Sequence, residues 1–168
     1  MWAGALIAAL TPRARLIFQE KVSGYHRPAD REDAPPRSFR LELEARIDDL
    51  SRFLDPASPV RHRLRLTGRV ALDGLAQSVP VDSGRLELSP YADGQIRYCF
   101  RFTPPPGSTL HFEGQRQLAL ADPWGSAATL IGEITQVDSG RTVTTCRARS
   151  RSSDLARLLR SLTVRRLG

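Results

Sequence analysis

Cysteine, lysine and methionine are nearly missing from this sequence: two, one and one among 168 residues. Two cysteines exclude a disulfide framework and a cysteine-rich zinc site. Cys99 and Cys146 are therefore expected as free thiols in a reducing compartment, which points to a cytoplasmic protein. Long apolar runs are missing too. No stretch approaches the roughly 20 residues that span a bilayer, so a transmembrane helix is excluded. HExxH, a Walker loop and GxGxxG do not occur. Neither Ser23 nor Ser83 lies in G-x-S-x-G. Nothing in the sequence names a reaction.

What is present is the make-up of one folded domain over residues 1–168. Apolar residues form 40% and charged residues 26% of the chain, a balance that suits a buried core rather than disorder. The net charge is +7, and of 25 basic residues only Lys21 is not arginine. The charge is local. Residues 1–140 balance, whereas residues 141–168 carry eight arginines against Asp154 alone. No aromatic residue is interleaved with those arginines, which disfavours single-stranded nucleic acid as a partner. An acidic partner protein or a peripheral contact with an anionic membrane stays open. The apolar opening MWAGALIAAL has its arginines after it rather than before it. It is expected as an N-terminal arm over 1–14, not a secretory signal.

Period-two alternation dominates the rest. Phe39, Leu41, Leu43, Ala45 and Ile47 alternate with polar neighbours, as do Leu64, Leu66, Val70 and Leu72. Ile96, Tyr98, Phe100 and Phe102 repeat the pattern, and so do Leu110, Phe112, Leu118 and Leu120. With the segment around Leu16–Val22 and further strands near 77–88, 127–137 and 141–149, the count is about eight. The predicted fold is all-β, mostly antiparallel, in a barrel or a sandwich. Asp73-Gly74, Asp93-Gly94 and the tetrapeptide Asp-Ser-Gly-Arg at 82–85 and 138–141 are turn signals. Residues 25–37 are polar and proline-rich and are expected as an exposed loop. Two helices are predicted. One is a short piece over Asp48–Leu54. The other is an amphipathic C-terminal helix over 152–163, where Leu155, Leu158, Leu159 and Leu162 recur at helical spacing.

The order of these elements carries a resemblance. Phe18-x-Glu20-x-Val22-x-Gly24 is followed by Ile47-Asp48-Asp49-Leu50-Ser51-Arg52-Phe53-Leu54, then Leu66-Thr67-Gly68-x-Val70 and Val79-Pro80-Val81-x-x-Gly84-x-Leu86-x-Leu88. Ile96-x-Tyr98-x-Phe100-x-Phe102, Leu110-x-Phe112-x-Gly114-x-Arg116, Asp122-x-Trp124 and the leucine-rich close over Ser153–Leu162 complete it. Residues 16–164 resemble the β-rich accessory domain that accompanies bacterial cholesterol-oxidase-like (glucose–methanol–choline) oxidoreductases and lipase-like hydrolases. The chain departs from that pattern after Trp124, where Gly125-Ser126-Ala127-Ala128-Thr129 replaces an acidic-Thr-Thr segment. The flavin and hydrolase domains are not in this sequence, so the resemblance implies a partner and no activity or cofactor.

Two charges break the apolar faces. Glu20 shares a face with Phe18 and Val22, and Arg116 with Phe112 and Gly114. A lone buried charge is costly, so Glu20 and Arg116 are expected to pair inside the fold. A second use of Arg116 is to hold the anionic head of an apolar ligand in a barrel cavity, with Tyr98 and Trp124 as walls. The histidines add little. His26 falls in the polar loop, and His62 precedes a strand. His111 and Glu113 share the wet face of one strand and would need a third ligand to hold a metal. Cys99 has no base near it in sequence and is expected to be inert. Three readings follow. The first is a non-catalytic accessory module for an apolar, lipid- or sterol-like ligand or for a lipid-active enzyme. The second is a small barrel enzyme for cyclisation or isomerisation. The third is a protein that docks through its arginine-rich C-terminus.

Overall fold

The computed structural model describes residues 14–31, 33–89, 94–117, 128–150 and 163–166. Alternation sets the faces and the faces set the architecture. Among the described residues ten strands occur, in the order β1 (Ala14–Pro28), β2 (Arg37–Ile47), β3 (Arg63–Leu72), β4 (Ala76–Pro80), β5 (Asp82–Ser89), β6 (Gln95–Phe102), β7 (Leu110–Gln117), β8 (Thr129–Gln136), β9 (Thr142–Arg149) and β10 (Thr163–Arg166). One helix is found among the described residues, α1 (Leu50–Leu54), which follows β2. Eight strands form an antiparallel ring in the order β1-β2-β3-β5-β6-β7-β8-β9, and β9 returns to β1 to close it. The all-β expectation holds, and of barrel and sandwich the fold is the barrel. Its edges are consumed by closure. β4 adds to the Arg69–Leu72 half of β3. β10 adds to Ala14–Ile17 of β1, ahead of the stretch Ser23–Pro28 that β9 occupies. No helix among the described residues is long and apolar enough to cross a membrane.

The barrel is filled by the inward residues that the alternation marks. Phe39, Phe100, Phe102 and Phe112 are wholly buried. The Phe100 and Phe112 rings stack at 4.7 Å, and Phe39 approaches Phe112 at 5.9 Å. Two glycines make room for this cluster. Gly114 and Gly132 face each other across β7 and β8. A Cβ at Gly114 would stand 2.5 Å from the Phe112 ring, and one at Gly132 2.8 Å. Phe112 therefore lies across a floor that only glycine leaves open.

α1 is set by its cap. The Asp49 side chain accepts from the Ser51 and Arg52 backbone N–H groups at 3.0 and 3.2 Å, as a good N-cap does. The Ser51 hydroxyl also donates to this carboxyl, at 2.5 Å, and it leads these bonds in holding the carboxyl below the usual aspartate range.

Three expectations change. The exposed loop expected over 25–37 is shorter, because Tyr25–Pro28 pair with Thr144–Arg147 of β9 to close the barrel and Arg37 begins β2. The strand near 77–88 divides into β4 and β5. The two copies of Asp-Ser-Gly-Arg differ. Residues 138–141 make the β8–β9 turn, with Gly140 at φ 66°, whereas residues 82–85 form a bulge at the start of β5 around Ser83 at φ 51°. The first follows a strand that must reverse, and the second a strand that must continue along β6. The C-terminal helix over 152–163 lies outside the described residues except for Thr163, which begins β10. The arm over 1–14 lies outside them except for Ala14.

Candidate functional site

The in-face charges meet. Glu20 comes from β1, Tyr98 from β6 and Arg116 from β7, and all three are buried. An Arg116 terminal nitrogen bonds Glu20 Oε1, and the other donates to Ser150 Oγ at 2.7 Å. Ser150 Oγ in turn donates to Glu20 Oε1 at 3.2 Å. The Tyr98 hydroxyl donates to Glu20 Oε2 at 3.0 Å, and the Arg116 guanidinium lies 5.3 Å from the Tyr98 ring centre. Burial pushes the Tyr98 hydroxyl well above its usual range, and the Glu20 carboxylate adds to the shift. A buried carboxylate that accepts from a guanidinium, a phenol and a hydroxyl is compensated on both oxygens. This is the pair the sequence predicts, with Tyr98 drawn into it. Trp124 lies outside the described residues. The cluster sits where β9 ends: Ser150 is the residue after β9, and β10 joins β1 only at Ala14–Ile17. Ile96 stands opposite Arg116, Leu88 opposite Ile96, and Phe18 two residues before Glu20; all three are only partly buried.

At the opposite end of the barrel stands a residue the sequence places wrongly. His26 is 1% exposed and belongs to β1, not to a loop. Its Nε2 meets the Asp73 carbonyl oxygen at 3.1 Å and its Nδ1 the Thr144 hydroxyl at 3.0 Å. A carbonyl only accepts, so Nε2 carries the proton. The Thr144 hydroxyl also lies against the Arg27 carbonyl oxygen, so its one proton is shared between that oxygen and Nδ1. Burial lowers the His26 pKa, helped by the Arg37 charge and opposed by Asp73. A histidine whose folded pKa is depressed binds its proton more readily when unfolded. Its contribution is present above about pH 6.5 and declines as pH falls from there through the folded pKa. Urea midpoints measured between pH 7.5 and 5 should fall more steeply for the native protein than for His26→Gln. Equal slopes would remove His26 from the acid response.

The outer wall holds the third feature. An open groove of about 640 Å³ crosses the outside of β5 to β9, with Arg85, Glu87, Cys99, Glu113, Ile131 and Glu133 among its lining. Cys99 lies opposite Glu113 in the β6–β7 register. His111, two residues before Glu113, brings Nε2 to 3.1 Å from the Cys99 sulfur. His111 Nε2 and Glu113 Oε1 are 3.9 Å apart. The three donor atoms lie within 4.8 Å of one another. The sequence names all three residues but does not join them. Cys99 does have a base beside it, supplied by a diagonal cross-strand neighbour. Burial raises the Cys99 pKa, opposed by Arg85 and reinforced by Glu113 and Glu87, so the sulfur rests as a thiol against His111 Nε2. That disfavours a thiolate nucleophile. The other thiol, Cys146, is inside the barrel, and burial pushes it up to about 12.

Arg147 and Arg149 of the basic C-terminal region are exposed on β9, and residues 151–162 lie outside the described residues. No protein-family model, curated protein or solved structure matches the chain.

Proposed function

We propose that the chain is a non-catalytic binding module, an accessory to an oxidoreductase or hydrolase that handles apolar, lipid- or sterol-like substrates. One observation carries this reading: the interior is spent on itself. Arg116 is turned onto Glu20 and Ser150, and the phenylalanine cluster occupies the middle of the barrel. An eight-stranded barrel is just wide enough for side chains to fill, and this one uses that option. Contact then falls to the surface. The order of elements that resembles the accessory domain names the class of partner.

A second reading has its own support. The half-buried Phe18, Leu88 and Ile96 beside Glu20 and Arg116 would suit an apolar ligand seated over the polar cluster. Native mass spectrometry of the protein purified from its own host separates the two. The expected spectrum holds a retained partner of oxidoreductase or hydrolase type and no small molecule. A retained lipid or sterol mass without a protein partner would replace the first reading with the second. A bare chain under gentle conditions would overturn both.

A further inference from the structure

We propose that Cys99, His111 and Glu113 form a binding site for a zinc-like divalent ion on the outer wall of the barrel. The donor set fits such an ion. Thiolate, imidazole and carboxylate are the three ligand types zinc accepts, and it prefers them over the all-oxygen shells of magnesium or calcium. The spacing also fits. Around a tetrahedral zinc at ordinary bond lengths, ligand atoms stand about 3.3–3.6 Å apart. The observed 3.1 Å from sulfur to Nε2 and 3.9 Å from Nε2 to Oε1 bracket that range. The third pair, the Cys99 sulfur and the Glu113 carboxylate, lies within 4.8 Å, so a swing of the exposed Glu113 side chain by about 1 Å reaches the range without moving the strands. The three Cα positions belong to adjacent strands of a closed barrel, a rigid support for a site.

A second observation points to a cation independently. Glu113 stands directly opposite Glu133 in the β7–β8 register, and both line the same groove. Like charges set face to face across a ladder destabilise the sheet. An ion held by Glu113 offsets that repulsion. Binding proceeds by simple exchange: the Cys99 S–H bond breaks, the proton leaves to solvent, and the sulfur electron pair forms the metal bond. His111 contributes its Nε2 lone pair. Three protein ligands leave a fourth position that opens to the groove, where water or an anionic group of a bound molecule completes the shell.

Cobalt titration of the full chain, without an oligohistidine tag and with its thiols reduced, tests the site. A thiolate-to-cobalt charge-transfer band should appear with tetrahedral visible bands, saturate at one ion per chain and vanish when Zn2+ is added. Cys99→Ser should abolish the charge-transfer band and Cys146→Ser should keep it. His111→Asn and Glu113→Gln should each weaken binding about tenfold or more. Zn2+ should also slow alkylation of Cys99 in the unaltered protein by about tenfold or more, a readout that needs no variant. No band in excess Co2+, a band that survives Cys99→Ser, or alkylation indifferent to Zn2+ would each overturn the assignment.

Discussion

Arg116→Met should lower the unfolding free energy by about 3–5 kcal/mol, because it leaves the Glu20 carboxylate buried without its cation. Arg116 is 2% exposed and Glu20 8%, so water does not replace the lost partner. Methionine matches the length of the arginine stem, which limits the packing loss. Removing Glu20 as well, in Glu20→Leu with Arg116→Met, should return at least half of that loss, since no uncompensated charge is then left. It should not return all of it. The Tyr98 and Ser150 hydroxyls lose their acceptor, at about 1–3 kcal/mol for each group that stays unsatisfied. Urea unfolding of the two single variants and the double variant gives the coupling directly. Strictly additive losses would mean that Glu20 and Arg116 are buried neighbours but not an energetic pair. A double variant as stable as the parent that still retains its partner in native spectra would leave the pair without a functional role.

Phe112→Ala should cost about 3–5 kcal/mol, the range for removing a buried aromatic ring. The ring touches three others of the cluster's elements at once: Phe100 by stacking, Phe39 by a tilted contact, and the paired glycines of β7 and β8 beneath it. Gly114→Ala should cost about 1–3 kcal/mol in the parent, because the new Cβ must displace the ring. In the Phe112→Ala background the same change should cost much less, since the atoms it would meet at 2.5 and 2.6 Å are gone. Thermal or urea unfolding of the four combinations measures this. An equal penalty for Gly114→Ala in both backgrounds would show that the glycine is required by the strand's backbone and not by the ring.

The fold was legible because burial on one face repeats every second residue. Phe39 to Ile47 and Ile96 to Phe102 announce which side faces in, and nothing about the rest of the chain is needed to read it. The Glu20–Arg116 pair was legible for the same reason: a charge in an apolar row must find its opposite. What failed was whatever depends on register between strands. Cys99 and His111 are twelve residues apart with a turn between them, and only the β6–β7 pairing places sulfur and nitrogen together. His26 sits among Tyr25, Arg27 and Pro28, neighbours that read as a loop. Its burial comes from β9, which covers it from the far end of the sequence. The two Asp-Ser-Gly-Arg segments make the same point. Identical residues turn at 138–141 and bulge at 82–85, because the strands beside them differ.

The seam between β1 and β9 has a consequence for how the chain comes into being. Ser23–Pro28 must find Thr144–Arg149, partners more than a hundred residues away along the polypeptide. On a ribosome the first strands emerge long before their closing partner is made. Until β9 arrives, the growing sheet carries a bare margin at β1 and another at its newest strand, both able to template a neighbour's backbone. Folds dominated by such distant pairings assemble in milliseconds to seconds rather than microseconds. Chaperone occupancy on nascent chains should therefore persist until the Thr142–Arg149 strand has left the exit tunnel, and drop once the ring can shut.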